Sequence, residues 1–212
     1  MKPAFRQGFT LIELLMVIAI FGLLAAGAMP MFQSMSVSRS VEGGLYDLQG
    51  LLEYARSEAV AKQSYVWVGF ENTTTEGRDE LVMSAAMLPD GSAQGADMKG
   101  ISRLIRIRNV EMIPWTQLTP EIRNRFPGEP VSVQGNSRGR SITVGSQTLS
   151  QSLTFTPQGS VMLAGTPNSN TPYDLWIDLS LRETRGGAPI NGREVAILVN
   201  GANGVLQVFR VE

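Results

Sequence analysis

Arg6–Gly27 reads RQGFTLIELLMVIAIFGLLAAG. It opens on charge and turns almost wholly apolar: no charged residue stands between Leu14 and Phe32, and Phe9–Ile12 extend the run upstream. As a helix, residues 9–31 would cover about 34 Å, enough for a bilayer core. Lys2 and Arg6 precede it, and basic residues on that flank leave the N-terminus in the cytoplasm. One acid, Glu13, interrupts the segment. A carboxylate at the centre of a membrane helix costs about 2.5–3.5 kcal/mol, so such a residue is read as functional. Two readings follow from these residues alone. One is a plain membrane anchor. The other is a secretory signal, with Lys2 and Arg6 as its basic region and Ala26-Gly27-Ala28 as its cleavage site.

Beyond Pro30 the pattern becomes amphipathic. Val41, Leu45, Leu48, Leu52, Ala55 and Ala59 recur at steps of four and three, which is one apolar stripe of a helix. Glu58 and Lys62 stand in the favourable i, i+4 order. Gly43, Gly44 and Gly50 weaken the helix, so packing must hold it. A proline inside a helix removes a hydrogen bond and crowds the preceding turn. Because apolar periodicity resumes after Pro30, it predicts a kink in one helix from Phe9 to about Lys62.

From Tyr65 the period shifts towards two. The predicted strands are 65–70, 80–87, 103–112, 141–144, 153–155, 161–163, 175–181, 194–199 and 205–211. TPQGS at 156–160 and NGANG at 200–204 predict two hairpins. Short strands with close turns predict antiparallel sheet, with open loops at 88–100 and 116–139. The fold class is therefore α+β, a long N-terminal helix packed on antiparallel β-sheets.

GFTLIELLMVIAIFGLLAAGAMP, Gly8–Pro30, resembles the N-terminus of type IV pilin-like proteins. The resemblance implies a leader at 1–8, a transmembrane and filament-core helix at 9–31, an amphipathic helix at 32–62 and a β-rich domain at 63–212. It implies that a prepilin peptidase cuts after Gly8 and methylates the new N-terminus at Phe9. Glu13 falls at the fifth mature position, where the family's glutamate meets the N-terminal amine of a neighbouring subunit, and Pro30 matches the family's kinking proline. Burial of a carboxylate is tolerable once a cation pairs with it, so Glu13 would serve as a register pin on assembly. The implied partners are other pilin or pseudopilin subunits, the peptidase, an inner-membrane assembly platform and the membrane itself. LLEYARSEAVAKQSYVWVGF and SLTFTPQGSVML further resemble GspH/FimT-type minor pseudopilins. The chain lacks the cysteines with which major pilins close a C-terminal loop, and no calcium loop of the major pseudopilin is placed; both favour a minor role. The resemblance implies a structural subunit of a secretion pseudopilus or a pilus, in the bacterial inner membrane, with its C-terminal domain outside the cytoplasm.

Composition narrows the chemistry. The chain has 18 basic and 19 acidic residues, no cysteine and no histidine. Thiol chemistry is excluded, and the commonest general base and transition-metal ligand are missing. GNSRG at 135–139 fits the spacing of a nucleophile elbow, but that motif needs a following helix and a histidine base, so Ser137 reads as a turn residue. Asp90 and Asp97, or Asp174 and Asp178, supply too few oxygens for calcium. No metal, cofactor or catalytic residue is assigned, and Trp67, Trp115 and Trp176 read as packing.

Charge is unevenly spread. Residues 46–100 hold nine acids and four bases, whereas 101–145 hold seven arginines and three glutamates. A local basic surplus can hold phosphates, so DNA binding through Arg103, Arg106 and Arg108 is the alternative function. Arg106 and Arg108 share one strand face while Arg103 points the other way, which favours a solvated face or a surface that meets an acidic neighbour subunit. A membrane-anchored binding domain outside any filament is the remaining alternative.

Overall fold

The computed structural model describes residues 11–95, 97–164 and 174–210, with helix side chains described at 11–22, 24 and 41–61. The chain divides into two units, Met1–Arg39 and Ser40–Glu212. The leader 1–8 and Phe9, like Val211 at the end of the last expected strand, lie outside the described residues. Helix α1 (Leu11–Ala61) runs through Pro30, so the proline does not end it. Among the described residues no helix is long and apolar enough to cross a membrane; the expected span at 9–31 begins outside them.

The strands follow as β1 (Val66–Thr75), β2 (Arg78–Met87), β3 (Lys99–Gly100), β4 (Ile105–Arg108) and β5 (Val110–Met112). A 3-10 turn (Trp115–Gln117) and helix α2 (Pro120–Arg123) come next, then β6 (Val131–Ser132), β7 (Ile142–Val144), β8 (Gln147–Leu149), β9 (Gln151–Phe155) and β10 (Val161–Met162). Last are β11 (Trp176–Asp178), β12 (Leu181–Arg185), β13 (Ala188–Asn200) and β14 (Leu206–Arg210). One sheet has the order β10-β9-β1-β2-β3, with β4 also on β2. The other has the order β5-β12-β13-β11-β6, with β14 also on β13, and β7–β8 forms a separate ribbon. Both expected hairpins form, joining β9 to β10 and β13 to β14. Among the described residues the pairings are antiparallel save one, the two-residue parallel pairing of β6 with β11.

The main core gathers the α1 stripe and the inner faces of both sheets. Val41, Leu45, Leu48, Leu52, Ala55 and Ala59 are all buried in it, joined by Leu51. The sheets are covered on their outer faces too. In β1, Val66, Val68 and Phe70 face the main core, while Trp67 belongs to a second core built with Ile142 and Leu149 of the β7–β8 ribbon. Gly69 makes that close approach: a Cβ there would stand 2.5 Å from Ile142 Cδ1 and 2.9 Å from Leu149 Cβ. In β13, Val195, Ile197 and Val199 face the main core, while Ala196 and Leu198 meet Ile113, Trp115, Leu118 and Ile122. Burial on both faces is why these strands read as continuous apolar runs rather than strict alternation.

Several expectations are corrected by this packing. The segment 103–112 is not one strand. It divides at Asn109, whose φ of +58° breaks the extended path, so β4 joins the first sheet and β5 the second. Asn109 N–H donates to the Asp79 carbonyl at 2.7 Å, and its own carbonyl accepts Thr184 N–H at 2.8 Å. The run 175–181 likewise splits, into β11 and the start of β12, both paired with β13. The expected open loop at 116–139 carries α2 and β6 and covers the outer face of β13, and the loop at 88–100 ends in β3. The β7 partner, β8, was not expected, because QTL is too short and polar to signal a strand by itself. Gly44 has a packing reason as well as a helix cost: a Cβ there would lie 2.8 Å from Ile107 Cγ2.

Candidate functional site

Between Leu11 and Leu24 the described side chains of α1 are exposed on every side. Leu11, Ile12, Met16, Phe21 and Leu24 are all more than 60% accessible. An all-round apolar helix surface is stable in water only when something covers it. Glu13 is exposed within the first described turn of α1. Pro30 lies inside the helix. Gly8 and Phe9, the expected processing residues, fall outside the described residues.

The second half of α1 is fixed to the sheets by more than its apolar stripe. Tyr54 Oη–H donates to the Ile101 carbonyl at 3.1 Å, and Arg210 stands 3.9 Å from Glu42. Lys62 and Glu58 form the expected i, i+4 pair at 2.5 Å. At the helix end, Ser64 N–H donates to the Ala59 carbonyl and Gln63 adopts φ +50°.

The arginines of 101–145 are largely engaged within the chain. Arg106 and Arg108 share one face of β4, as the alternation requires, and both reach Glu80, at 3.6 Å and 3.3 Å. The Glu80 side chain is only 11% exposed, so one nearly buried carboxylate answers two cations. Arg106 also donates to Gln147 Oε1 at 3.3 Å. Arg125 donates to the Arg210 carbonyl at 2.9 Å, and Arg138 pairs with Asp174 at 2.9 Å. Arg140 donates to the Gly95 carbonyl and lies over the Trp67 ring, 5.7 Å from its centroid. Arg103 is exposed in the loop before β4 and does not join the Arg106–Arg108 face.

Asp178 is a buried carboxylate held by hydroxyl and amide donors. It is 1% exposed. Ser132 Oγ–H donates to Oδ2 at 2.8 Å, while the backbone N–H (3.1 Å) and hydroxyl of Ser180 donate to Oδ1. Ser132 Oγ in turn accepts the backbone N–H of Trp115 at 2.8 Å. No cation is among these partners. Burial therefore pushes the carboxyl up to about 6 despite the hydroxyl and amide donors. This cluster is structural: it ties β6 and the 3-10 turn to β11. Sequence reasoning considered Asp178 only as half of a metal pair, and among the described residues no group of three or more metal-ligating side chains gathers. Asp174 is taken up by Arg138, and Asp90 accepts the Ser92 N–H and hydroxyl. Ser137 is exposed in a turn, where Asn136 Oδ1 accepts Arg138 N–H. Trp67 and Trp115 are buried and Trp176 is half-buried, stacked edge to face with Phe126.

The chain matches two families. The prokaryotic N-terminal methylation motif covers residues 4–29, and the type II transport protein GspH family covers residues 46–204. Two fimbrial proteins of Pseudomonas aeruginosa are each 30% identical over 117 residues, a match that spans 45% of this chain and 75% of the relative. No solved structure matches.

Proposed function

Because the chain belongs to the GspH family of type II transport proteins and is a type IV pilin-like subunit rather than an enzyme, we propose that it is a minor component of a secretion pseudopilus or pilus-like filament. In this reading a prepilin peptidase removes residues 1–8 and methylates Phe9. The apolar segment first holds the subunit in the inner membrane, with residues 63–212 outside the cytoplasm, and then enters the filament core. An assembly platform moves it from one environment to the other. The observation that carries the reading is the exposed apolar surface of α1 at residues 11–22 and 24, with a single acid set into it. Lipid and a bundle of like helices both cover such a surface. In the bundle, the amine that cleavage creates on a neighbour's Phe9 is set against Glu13, so the acid favours the assembled filament over lipid.

Mass spectrometry of the mature protein tests the processing. N-methylphenylalanine at Phe9 is expected. A start at Met29 would mean a cleaved secretory signal, and an intact Met1 a simple anchor. Glu13→Leu tests the pin: cleavage after Gly8 is expected to continue while incorporation into filaments falls at least ~tenfold. Undiminished incorporation would remove Glu13 from the assembly step.

A further inference from the structure

β14 lies at the margin of the second sheet, with β13 on one side of it. Two bonds of β13 fix which way the β14 backbone points. Asn200 N–H donates to the Val205 carbonyl, while the Ile197 carbonyl accepts Leu179 N–H from the opposite side of β13. Antiparallel pairs alternate between bonded and unbonded. Gln207 and Phe209 therefore turn their N–H and C=O towards β13, whereas Leu206, Val208 and Arg210 turn theirs outward. Arg125 donates to the outward Arg210 carbonyl at 2.9 Å. Among the described residues nothing takes up the outward groups of Leu206 and Val208. A row of free backbone groups templates pairing with another strand, and folds ordinarily blunt it with short or charged edges. The other marginal strands obey: β3, β6 and β10 have two residues each, β5 three, and β4 four with two arginines. β14 has five, LQVFR, and its one charge stands at the end. Both faces beside this edge are hollow. On the outer face a cavity of about 490 Å³ is lined by Phe126, Trp176 and Phe209, with Phe126 meeting the other two rings edge to face. On the α1 face a cavity of about 360 Å³ lies between Leu206 and the helix residues Leu52, Glu53 and Arg56. Among the described residues beyond α1, the exposed large apolar side chains are Leu175 and Val205, and each lines one of these cavities.

We propose that β14 receives an extended peptide segment of another protein as an added strand, with apolar side chains alternating into the two cavities and a carboxylate set against Arg125. In such an addition main-chain bonds supply affinity and alternate pockets supply specificity. Successive side chains of a strand point to opposite faces, so an aromatic anchor enters the ring-lined cavity while its smaller neighbours lie over Leu206. Charge fixes the end at which the acid sits. Arg125 bears on a carbonyl and forms no ion pair among the described residues, with Glu129 in the same cavity included. Arg210 beside it has only Glu42, at 3.9 Å. The Arg210 end of the edge is therefore basic, whereas Glu53 and Arg56 offset each other at the Leu206 end. A second copy of β14 is a poorer occupant: two such edges side by side set hollow against hollow and bring arginine without an acid. The inference stands apart from the filament reading, since the edge and both cavities are built within residues 40–212.

The probe is a fluorescein-labelled peptide of sequence Asp-Thr-Val-Trp-Val-Thr, added to the detergent-solubilised full-length chain and followed by anisotropy. Saturable binding is expected. N-methylation of one alternate set of peptide nitrogens, those facing β14, should weaken it at least ~tenfold, and methylation of the other set far less. Val208→Pro removes an outward N–H that takes no part in the β13 ladder. Its thermal melt should therefore stay close to that of the parent while binding falls at least ~tenfold. Leu175→Ser, a change at an exposed site, should weaken binding too. Arg125→Gln should weaken the aspartyl peptide and leave its asparaginyl counterpart unchanged. Equal binding of both N-methylated sets would mean plain apolar contact, and strand addition would be wrong; this comparison decides even where Val208→Pro fails to fold. Failure of the unmodified peptide to bind overturns the proposal as well. If Val208→Pro then abolishes self-association of the chain, the edge belongs to a second copy.

Discussion

Asn72 grips Met112 by both polar groups of its backbone: the side-chain carbonyl accepts Met112 N–H at 2.9 Å, and the side-chain amide donates to the Met112 carbonyl at 2.8 Å. Asn72 belongs to β1 and Met112 to β5, so a side chain stands in for a strand and joins the two sheets. Asn72→Ala leaves both groups of a buried residue without partners and is expected to lower stability by about 2–4 kcal/mol, at about 1–2 per lost partner. Denaturant unfolding of the detergent-solubilised chain measures it. A loss below about 0.5 kcal/mol would mean that water replaces the amide freely at this seam.

Asp178 gives the domain a pH dependence of definite sign. Its carboxyl titrates near 6 in the folded chain against an ordinary value of 3.8. Between those values the folded state holds a proton that the unfolded state has released. Stability from this group is therefore full below about pH 4, declines as pH rises through 4 to 6, and levels off above, a loss of about 3 kcal/mol. Asp178→Asn keeps the shape, accepts from Ser180 and donates towards Ser132, so the decline should shrink to what Glu183, also pushed up by burial, contributes. Comparing the two proteins in urea at pH 4.5 and pH 7.5 decides it: parallel changes in both would mean that Asp178 ionises without penalty.

Three glycines separate packing from propensity. Gly69→Ala drives a methyl into Ile142 and Leu149 and should cost about 1–3 kcal/mol. Gly43→Ala and Gly50→Ala meet nothing and should each stabilise the subunit by up to about 1 kcal/mol. Thermal melts of the three variants test the contrast. A destabilised Gly43→Ala or Gly50→Ala would point to a steric demand inside the subunit.

Glu80 holds two guanidinium groups, and Glu80→Gln should release both. The fold should lose only about 1 kcal/mol, because the arginines are largely solvated. Arg106 and Arg108 would then stand uncompensated, and retention of the chain on a phosphate-bearing column should become salt-sensitive where that of the parent is weak. Equal retention of parent and variant would show that Glu80 does not mask the arginine face.

The helix and both hairpins were legible because each rests on local chemistry: a stripe at steps of three and four, and turn residues between apolar runs. The division at Asn109 was legible in principle. Ile105 and Ile107 set one phase of alternation, Val110 and Met112 the other, and a change of phase at an asparagine marks a residue with positive φ. Reading 103–112 as one strand overlooked that change. The clustering of Asp178 with Ser132 and Trp115 had no comparable signal, since those residues are brought together only by β6 pairing with β11. The pairing of Arg106 and Arg108 with Glu80 also depends on strand register, although their shared face did not.

The joint between the sheets has a mechanical corollary. At Asn109 the polypeptide itself passes from one sheet to the other, flanked by hydrogen bonds to Asp79 and Thr184, with the Asn72 clasp nearby on the same chain direction through β5. Tension that tries to peel the sheets apart therefore loads a covalent backbone and several short links at once. Such a hinge tears only when all of them yield together, which suits a building block that must be pushed, pulled and stacked without opening.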